Sequence, residues 1–576
     1  MNFIKTVIAV LVAQILLAFA IFFGFGIMTA LLTSQGQVRV ADGSWLVIDV
    51  YGEIEPYDPP ESISSSIFGE VETQTRILTN LEKAAADERI AGVIMKVSSS
   101  NSLGLASIGE IRDAVARVRD AGKPVVAFSD ALDRDALYLA SACDSIFMPE
   151  VADVVFTGYG AVDMFLKGTL DKLGIHQNLH KIKDYKTAAE PFMRDSMSPE
   201  AREMAGWIMD ELWDVELGAI ARDRSLSVDS LSACMAQALF TAPEAKAAGL
   251  IDDTLYWDQI EERLGTDGDL ATVSQDTYDD VTRAEVGLKG KHHIAVVHAY
   301  GMIGGRDSHT DTSLGVLMGH ESVIADLRDA AEDDHVAAII FRVDSRGGES
   351  LASELISREV GRIAKEKPVI VSMGDVAASG GYAVSYRATR IIADSLTITG
   401  SIGSILGKVN MAGLWNKAGV TFDWVTKGEN ALLWSGITDF DQAQWARVET
   451  FHNASFERWL RDISVARDIP LDELRPLTDG RVWTGRQARE RRLIDDTGGY
   501  ERAVEVAKEE AGIPADEQVA FDHYPRKQGL IALLTSGDAP ITLTRLAVGH
   551  WMRHDVAATA RMLQRGDLRL WTGMFE

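Results

Sequence analysis

From Val7 to Leu32 the chain carries no charged residue. A bilayer core is crossed by about 20 apolar residues, so the run predicts a membrane-spanning helix within residues 1–33. A cleaved secretory signal, whose apolar core is usually about 7–15 residues, is the alternative. Lys5 precedes the run and acidic sequence follows it. That asymmetry puts the N-terminus in the cytoplasm and the bulk of the chain outside. Residues 34–45 read as a linker. Beyond them the apolar period changes. Ile77, Leu78, Leu81, Ala84 and Ala85 recur at about 3.6 residues and predict an amphipathic helix over 75–86. A-G-V-I-M-K-V (91–97) and P-V-V-A-F (124–128) read as buried strands, with a helix over Ile108–Val118 between them. Ser198, Pro199 and Glu200 supply the N-cap, first-turn proline and first-turn acid of another helix. Alternating helices and short apolar strands predict an α/β fold with a largely parallel sheet.

The pattern occurs twice. L-T-N-L-E-K-A-A-A-D-E-R-I-A-G-V-I-M-K-V (78–97) aligns without gaps on I-A-D-L-R-D-A-A-E-D-D-H-V-A-A-I-I-F-R-V (324–343). V-I-D-V-Y-G-E-I (47–54) resembles V-V-H-A-Y-G-M-I (296–303), and G-K-P-V-V-A-F (122–128) resembles E-K-P-V-I-V-S (366–372). F-T-A-P-E-A-K-A-A-G-L-I-D-D (240–253) matches W-T-G-R-Q-A-R-E-R-R-L-I-D-D (483–496). Two homologous halves therefore span 46–265 and 293–512, joined by a polar linker over 266–292. The tail, 513–576, has no counterpart; its segment 545–563 suits an amphipathic helix, membrane-facing or packed on the body.

Composition narrows the function. Of 576 residues, 46% are hydrophobic and 25% charged, as in a globular protein with a large core. A formal charge of −28 argues against nucleic acid, whose phosphates need clustered Lys and Arg. The two cysteines, Cys143 and Cys234, form no C-x-x-C pair. The twelve histidines are scattered, with no H-E-x-x-H, metal-spaced cluster or Walker loop, so no cofactor, metal or nucleotide is expected.

The halves have diverged in complementary ways. The second carries Gly347-Gly348 after a strand where the first has Asn101-Ser102. The second carries Ser379, in G-D-V-A-A-S-G-G-Y (374–382), where the first has A-L-D-R-D-A-L (131–137). Matching Gly174 to Gly419 sets Lys186 of the first half against Ala431 of the second. A serine hydroxyl needs a base, and a lysine buried until largely neutral is one. The pattern points to a composite site with Ser379 as nucleophile, Lys186 as base, and backbone N–H groups of Gly347 or Gly348 and of Gly380 around the oxyanion. Lys181 and Lys183 are rival bases nearby. A Ser-His-Asp triad is open in principle, although nothing in the sequence indicates one.

These motifs, with R-V-D-S-R-G-G (342–348), T-I-T-G-S-I-G (397–403) and Y-K-T-A-A-E-P-F-M-R-D-S-M-S-P-E-A-R-E (185–203), resemble the signal peptide peptidase A family, serine protease family S49, in its long duplicated form. The resemblance runs in order from about residue 46 to 510. It implies tandem β-β-α halves similar to the Clp protease and crotonase type. It implies a bacterial inner-membrane serine endopeptidase, single-pass with a periplasmic body. Its partners would be hydrophobic peptides, namely remnant signal peptides, and other copies of itself in a bowl-like homotetramer. By motif it carries over Ser379 as nucleophile, Lys186 as general base and Ser401 as the serine that orients the lysine. One position departs: Arg346 stands where the family usually has proline, which removes a residue that stiffens the turn. Two other readings are an acyl-CoA hydratase or isomerase, disfavoured by the anchor, and an inactive scaffold, disfavoured by retention of both Ser379 and Lys186.

Overall fold

The computed structural model describes residues 40–57, 72–265, 269–311 and 315–526. The anchor predicted over 1–33 and the tail segment 545–563 lie outside them. Among the described residues no helix is long and apolar enough to cross a membrane.

Each half is built on a parallel sheet. The first runs in the order Thr272–Ser274, Ser44–Gly52, Ile90–Asn101, Val125–Phe128, Ser145–Met148, Asp253–Thr254, every neighbouring pair parallel. The second repeats this path with Val519–Tyr524, His292–Tyr300, Val336–Ser345, Val369–Ala378, Arg390–Ala393 and Asp496–Thr497. The near-continuous apolar strands are buried because helices cover the sheet. Gln74–Ala86 packs Ile77, Leu81 and Ala84 inward, and the Thr73 hydroxyl accepts from the Arg76 N–H to cap it. Leu105–Asp120 and Pro199–Leu212 form where the periodicity and the Ser198 cap predict. Cys143 and Cys234 are both free thiols.

Two stretches differ from the sequence reading. Within the expected linker, Thr272–Ser274 pairs with the first strand and Tyr278 is fully buried, its hydroxyl on Asp87 Oδ2 at 3.0 Å. Its equivalent at the start of the tail, Val519–Tyr524, pairs with His292–Val297. The repeat thus extends past both limits. An edge strand buries few side chains, so it lacks the continuous apolar run that marks a central strand.

The halves interlock. Ser404–Asn410 of the second pairs antiparallel with His176–Ile182 of the first. The Arg342 guanidinium, buried in the second half, donates to both carboxylate oxygens of Glu110 in the first, at 2.7 and 2.6 Å. Asp375, four residues before Ser379, accepts from the Gly104 and Ser107 N–H groups at 3.2 and 2.9 Å. It therefore caps helix Leu105–Asp120 from across the boundary.

Candidate active site

The strand Val369–Ala378 ends by delivering Ser379 at φ 57°, ψ −112°, just before the short helix Gly380–Ser385. Positive φ in a residue with a Cβ costs on the order of 1–3 kcal/mol. Two bonds hold it: the Ser379 N–H donates to Gly400 O, and Ser379 O accepts from Ala383 N–H, both at 2.9 Å. The next two residues must be small. A Cβ on Gly380 would come within 2.7 Å of Ser353 Oγ, and one on Gly381 within 2.5 Å of Ser345 O.

The strand His176–Ile182 leads into the loop that carries Lys186, which is 5% exposed. Its Nζ lies 3.0 Å from Ser379 Oγ, 2.8 Å from Ser401 Oγ and 2.9 Å from Ser401 O. Among the described residues no carboxylate contacts it. Burial alone lowers its pKa to about 8. The rival lysines are engaged elsewhere: Lys181 Nζ is 2.9 Å from Glu190 and Lys183 Nζ 3.6 Å from Asp479.

Of the expected oxyanion donors, Gly347 is already spent, because its N–H donates to Ser345 Oγ at 3.1 Å. Among the described residues, the N–H groups of Gly348 and Gly380 face no acceptor. They are neighbours: a Cβ on Gly380 would lie 3.0 Å from Gly348 N. The turn needs no proline in place of Arg346. Ser345 Oγ donates to Gly301 O at 2.6 Å, and Ile303 clamps the glycines through Ile303 N–H to Gly347 O and Glu349 N–H to Ile303 O. Arg346 itself is exposed.

One part of the site went unread in the sequence. The loop Thr478–Arg481 straps together the segments that carry Lys186 and Ser401. Asp479 O accepts from Lys183 N–H at 3.1 Å, Gly480 N–H donates to Ile402 O at 2.9 Å, and Arg481 O accepts from Ser401 N–H at 2.6 Å. Any Cβ on Gly480 would collide with the Lys186 backbone. The Arg481 guanidinium lies 3.7 Å over the Tyr185 ring, beside stacked Trp207 and Trp483. The available signal was Asp479-Gly480, a turn dipeptide replaced in the first half by Ala236-Gln237.

Pairing fixes the equivalences. Ala131–Asp133 pairs with Asp153–Val155 as Val376–Ala378 pairs with Ile398–Gly400. Arg134 therefore holds the place of Ser379. Phe156 holds that of Ser401; matching Thr157-Gly158 to Thr399-Gly400 by sequence would set Tyr159 there, but that pair lies three residues out of register. The Lys186–Ala431 match stands on backbone bonds: Leu166 N–H to Pro191 O recurs as Met411 N–H to Gly436 O.

The profile of peptidase family S49 matches residues 117–271 and 362–514. A chloroplastic serine protease SPPA of Arabidopsis thaliana is 31% identical over 87% of this chain and 74% of its own length. Protease 4 of Haemophilus influenzae is 31% identical over 74% of this chain and 71% of its own. Protease 4 of Salmonella typhi is 29% identical, over 91% and 86%. Among solved structures, a membrane-bound stomatin-specific protease superposes on 41% of this chain and all of its own at 13% identity, TM-score 0.26.

Proposed function

Since the chain belongs to peptidase family S49 and is a serine protease, we propose that it is a membrane-anchored endopeptidase that degrades hydrophobic peptides, cleaved signal peptides among them, through a Ser379–Lys186 dyad. The observation that carries this reading is a buried amine, with no carboxylate beside it among the described residues, 3.0 Å from the hydroxyl of a strained serine.

Lys186 works from its neutral form. A neutral amine has two N–H donors and one lone pair. Donating to Ser401 O and Ser401 Oγ leaves the lone pair for the Ser379 O–H. Ser401 thus orients the base. As Ser379 Oγ attacks the scissile carbonyl, its proton passes to Nζ, and the N–H groups of Gly348 and Gly380 receive the oxyanion. The resulting ammonium then protonates the leaving amine, forming an acyl-enzyme. Water, deprotonated by the same Nζ, attacks the ester and releases the acid, returning the proton to Ser379.

The uncharged run 7–32 supports a single-pass anchor in the bacterial inner membrane, which would hold the periplasmic body beside membrane-borne peptides. We extend the reading to a homotetramer. No cofactor enters the chemistry.

The test uses the full chain in mild detergent with a fluorogenic hydrophobic peptide. Ser379→Ala and Lys186→Ala should each lower kcat by about 10³-fold or more. For the parent, kcat/KM should rise with pH through about 8, as the amine loses its proton, then level off. Parent-like cleavage by both variants would end the proposal.

A further inference from the structure

Two helices of the first half, Gln74–Ala86 and Leu105–Asp120, meet the second half beside its helix Tyr500–Glu510 and leave a cavity of about 100 Å³ between them. Leu78, Val504 and Phe521 supply its apolar walls. On the sheet side it is closed by His298, Arg342 and His523. None of Ser379, Lys186 and Ser401 lines it.

The charges around this cavity pair off and leave one over. Arg342 holds Glu110 at 2.6 Å, and Arg283 holds Glu82 at 2.6 Å. Arg117 is paired with Glu501. His298 Nε2 and His523 Nδ1 lie 2.9 Å apart. Burial keeps both rings uncharged by lowering their pKa values, that of His523 to about 4. Asp113 remains, open to solvent at the rim. Among the described residues its carboxylate has no hydrogen bond and no ion pair. The cations that act on it, Arg112 and Arg117, are committed to Asp223 at 2.6 Å and to Glu501. On the neighbouring helix the Tyr500 hydroxyl is likewise without a partner among the described residues.

These features complement one kind of ligand. An unmatched carboxylate and a free hydroxyl beside an apolar hollow suit an ammonium group on a short apolar chain. A dry cavity of about 150 Å³ holds benzene, so this smaller one takes a chain of roughly four or five carbons with the charged end at the rim.

We infer that the cavity binds a primary ammonium carrying a branched chain of leucine size, the ammonium on Asp113 and the Tyr500 hydroxyl, the chain against Leu78, Val504 and Phe521. Two sources present this chemistry: a free alkylamine, and the amino end of a peptide whose first residue is leucine. Because the walls come from both halves, an occupant stabilises their packing. The inference does not rest on the Ser–Lys reading, since no group of the dyad takes part.

The test is calorimetric titration of the full chain in mild detergent, with isoamylamine as the free amine and leucyl-glycinamide as the peptide end. Isoamylamine should bind with a Kd of about 1 mM. Isoamyl alcohol, which has the chain without the charge, should bind about tenfold more weakly or less. Asp113→Asn should weaken the amine by about tenfold and leave the alcohol unchanged. Val504→Trp fills the cavity and should abolish binding of both, as should Leu78→Trp from another wall. Peptide cleavage at the parent's rate shows that each variant is folded. Leucyl-glycinamide binding that depends on Asp113 assigns the site to peptide ends, and its exclusion assigns the site to free amines. A parent chain that binds neither ligand would overturn the inference. So would an Asp113→Asn variant, or a folded tryptophan variant, that takes up the amine as tightly as the parent.

Discussion

The two halves hold the same turn in opposite states. In the second, the residue after the strand is Ser379, twisted to positive φ, beside unpaired backbone donors and an amine whose pKa burial lowers to about 8. In the first it is Arg134. The Arg134 guanidinium donates to Glu216 Oε1 at 3.1 Å and lies 4.1 Å over the Tyr159 ring, while the Tyr159 hydroxyl donates to Glu216 Oε2 at 2.7 Å. Each carboxylate oxygen of Glu216 thus has a donor. Glu216 is fully buried, and burial raises its pKa to about 7. The comparison teaches where a duplicated fold places its strain. One copy became a satisfied plug, and the other kept the unmet hydrogen-bonding capacity that chemistry requires.

Breaking the plug should damage stability and spare the reaction. Arg134→Ala strands Glu216 and should cost about 3 kcal/mol at pH 8, since losing one partner of a buried ion pair is strongly destabilising. Glu216 prefers its proton when folded, so the loss should shrink toward pH 5, where a neutral carboxyl needs no cation. Denaturant titrations at the two pH values measure this. If kcat also fell tenfold, the first half's turn would not be a plug.

The reverse holds for the lysine. A lysine whose folded pKa lies near 8 rather than 10.5 disfavours folding below pH 8, and the stability is regained as pH climbs from 8 to 10.5. At 1.36 kcal/mol per unit the cost at pH 7 is roughly 3 kcal/mol. Lys186→Met should therefore raise stability by about 2–3 kcal/mol at pH 7, and by little at pH 10.5, in the same variant that has lost activity. An unchanged melting temperature at pH 7 would mean that burial does not lower the pKa of this amine.

Ser401→Ala is the mildest change. It removes one acceptor and keeps Ser401 O, so kcat should fall by about tenfold, or ~1.4 kcal/mol. The rise of rate with pH should also move, because the amine has lost one polar neighbour. A drop in rate with an unmoved profile would reduce Ser401 to packing.

Much of this was legible in the sequence because duplication supplied an internal control. Lys186 against Ala431 and Ser379 against the 131–137 segment were found by asking what each copy had lost. The parallel sheets followed from apolar runs such as 91–97. What stayed hidden was held by backbone rather than by side-chain type. Gly347 and Gly348 are indistinguishable as letters, yet the hydroxyl of Ser345 occupies one N–H and leaves the other free. The 478–481 strap acts through carbonyls and an amide, which no composition reveals. The edge strands at 272–274 and 519–524 read as linker and tail because only one or two of their side chains are fully buried.

The order of the parts along the chain has a consequence in time. A ribosome makes the lysine first, the serine nearly two hundred residues later and the 478–481 strap last of all. On the proposed mechanism, Lys186 has no serine to deprotonate until Ser379 has emerged, and the backbone bonds that hold Ser401 are completed only when 478–481 docks. On that reading the site is completed late, once sequence from both halves is present.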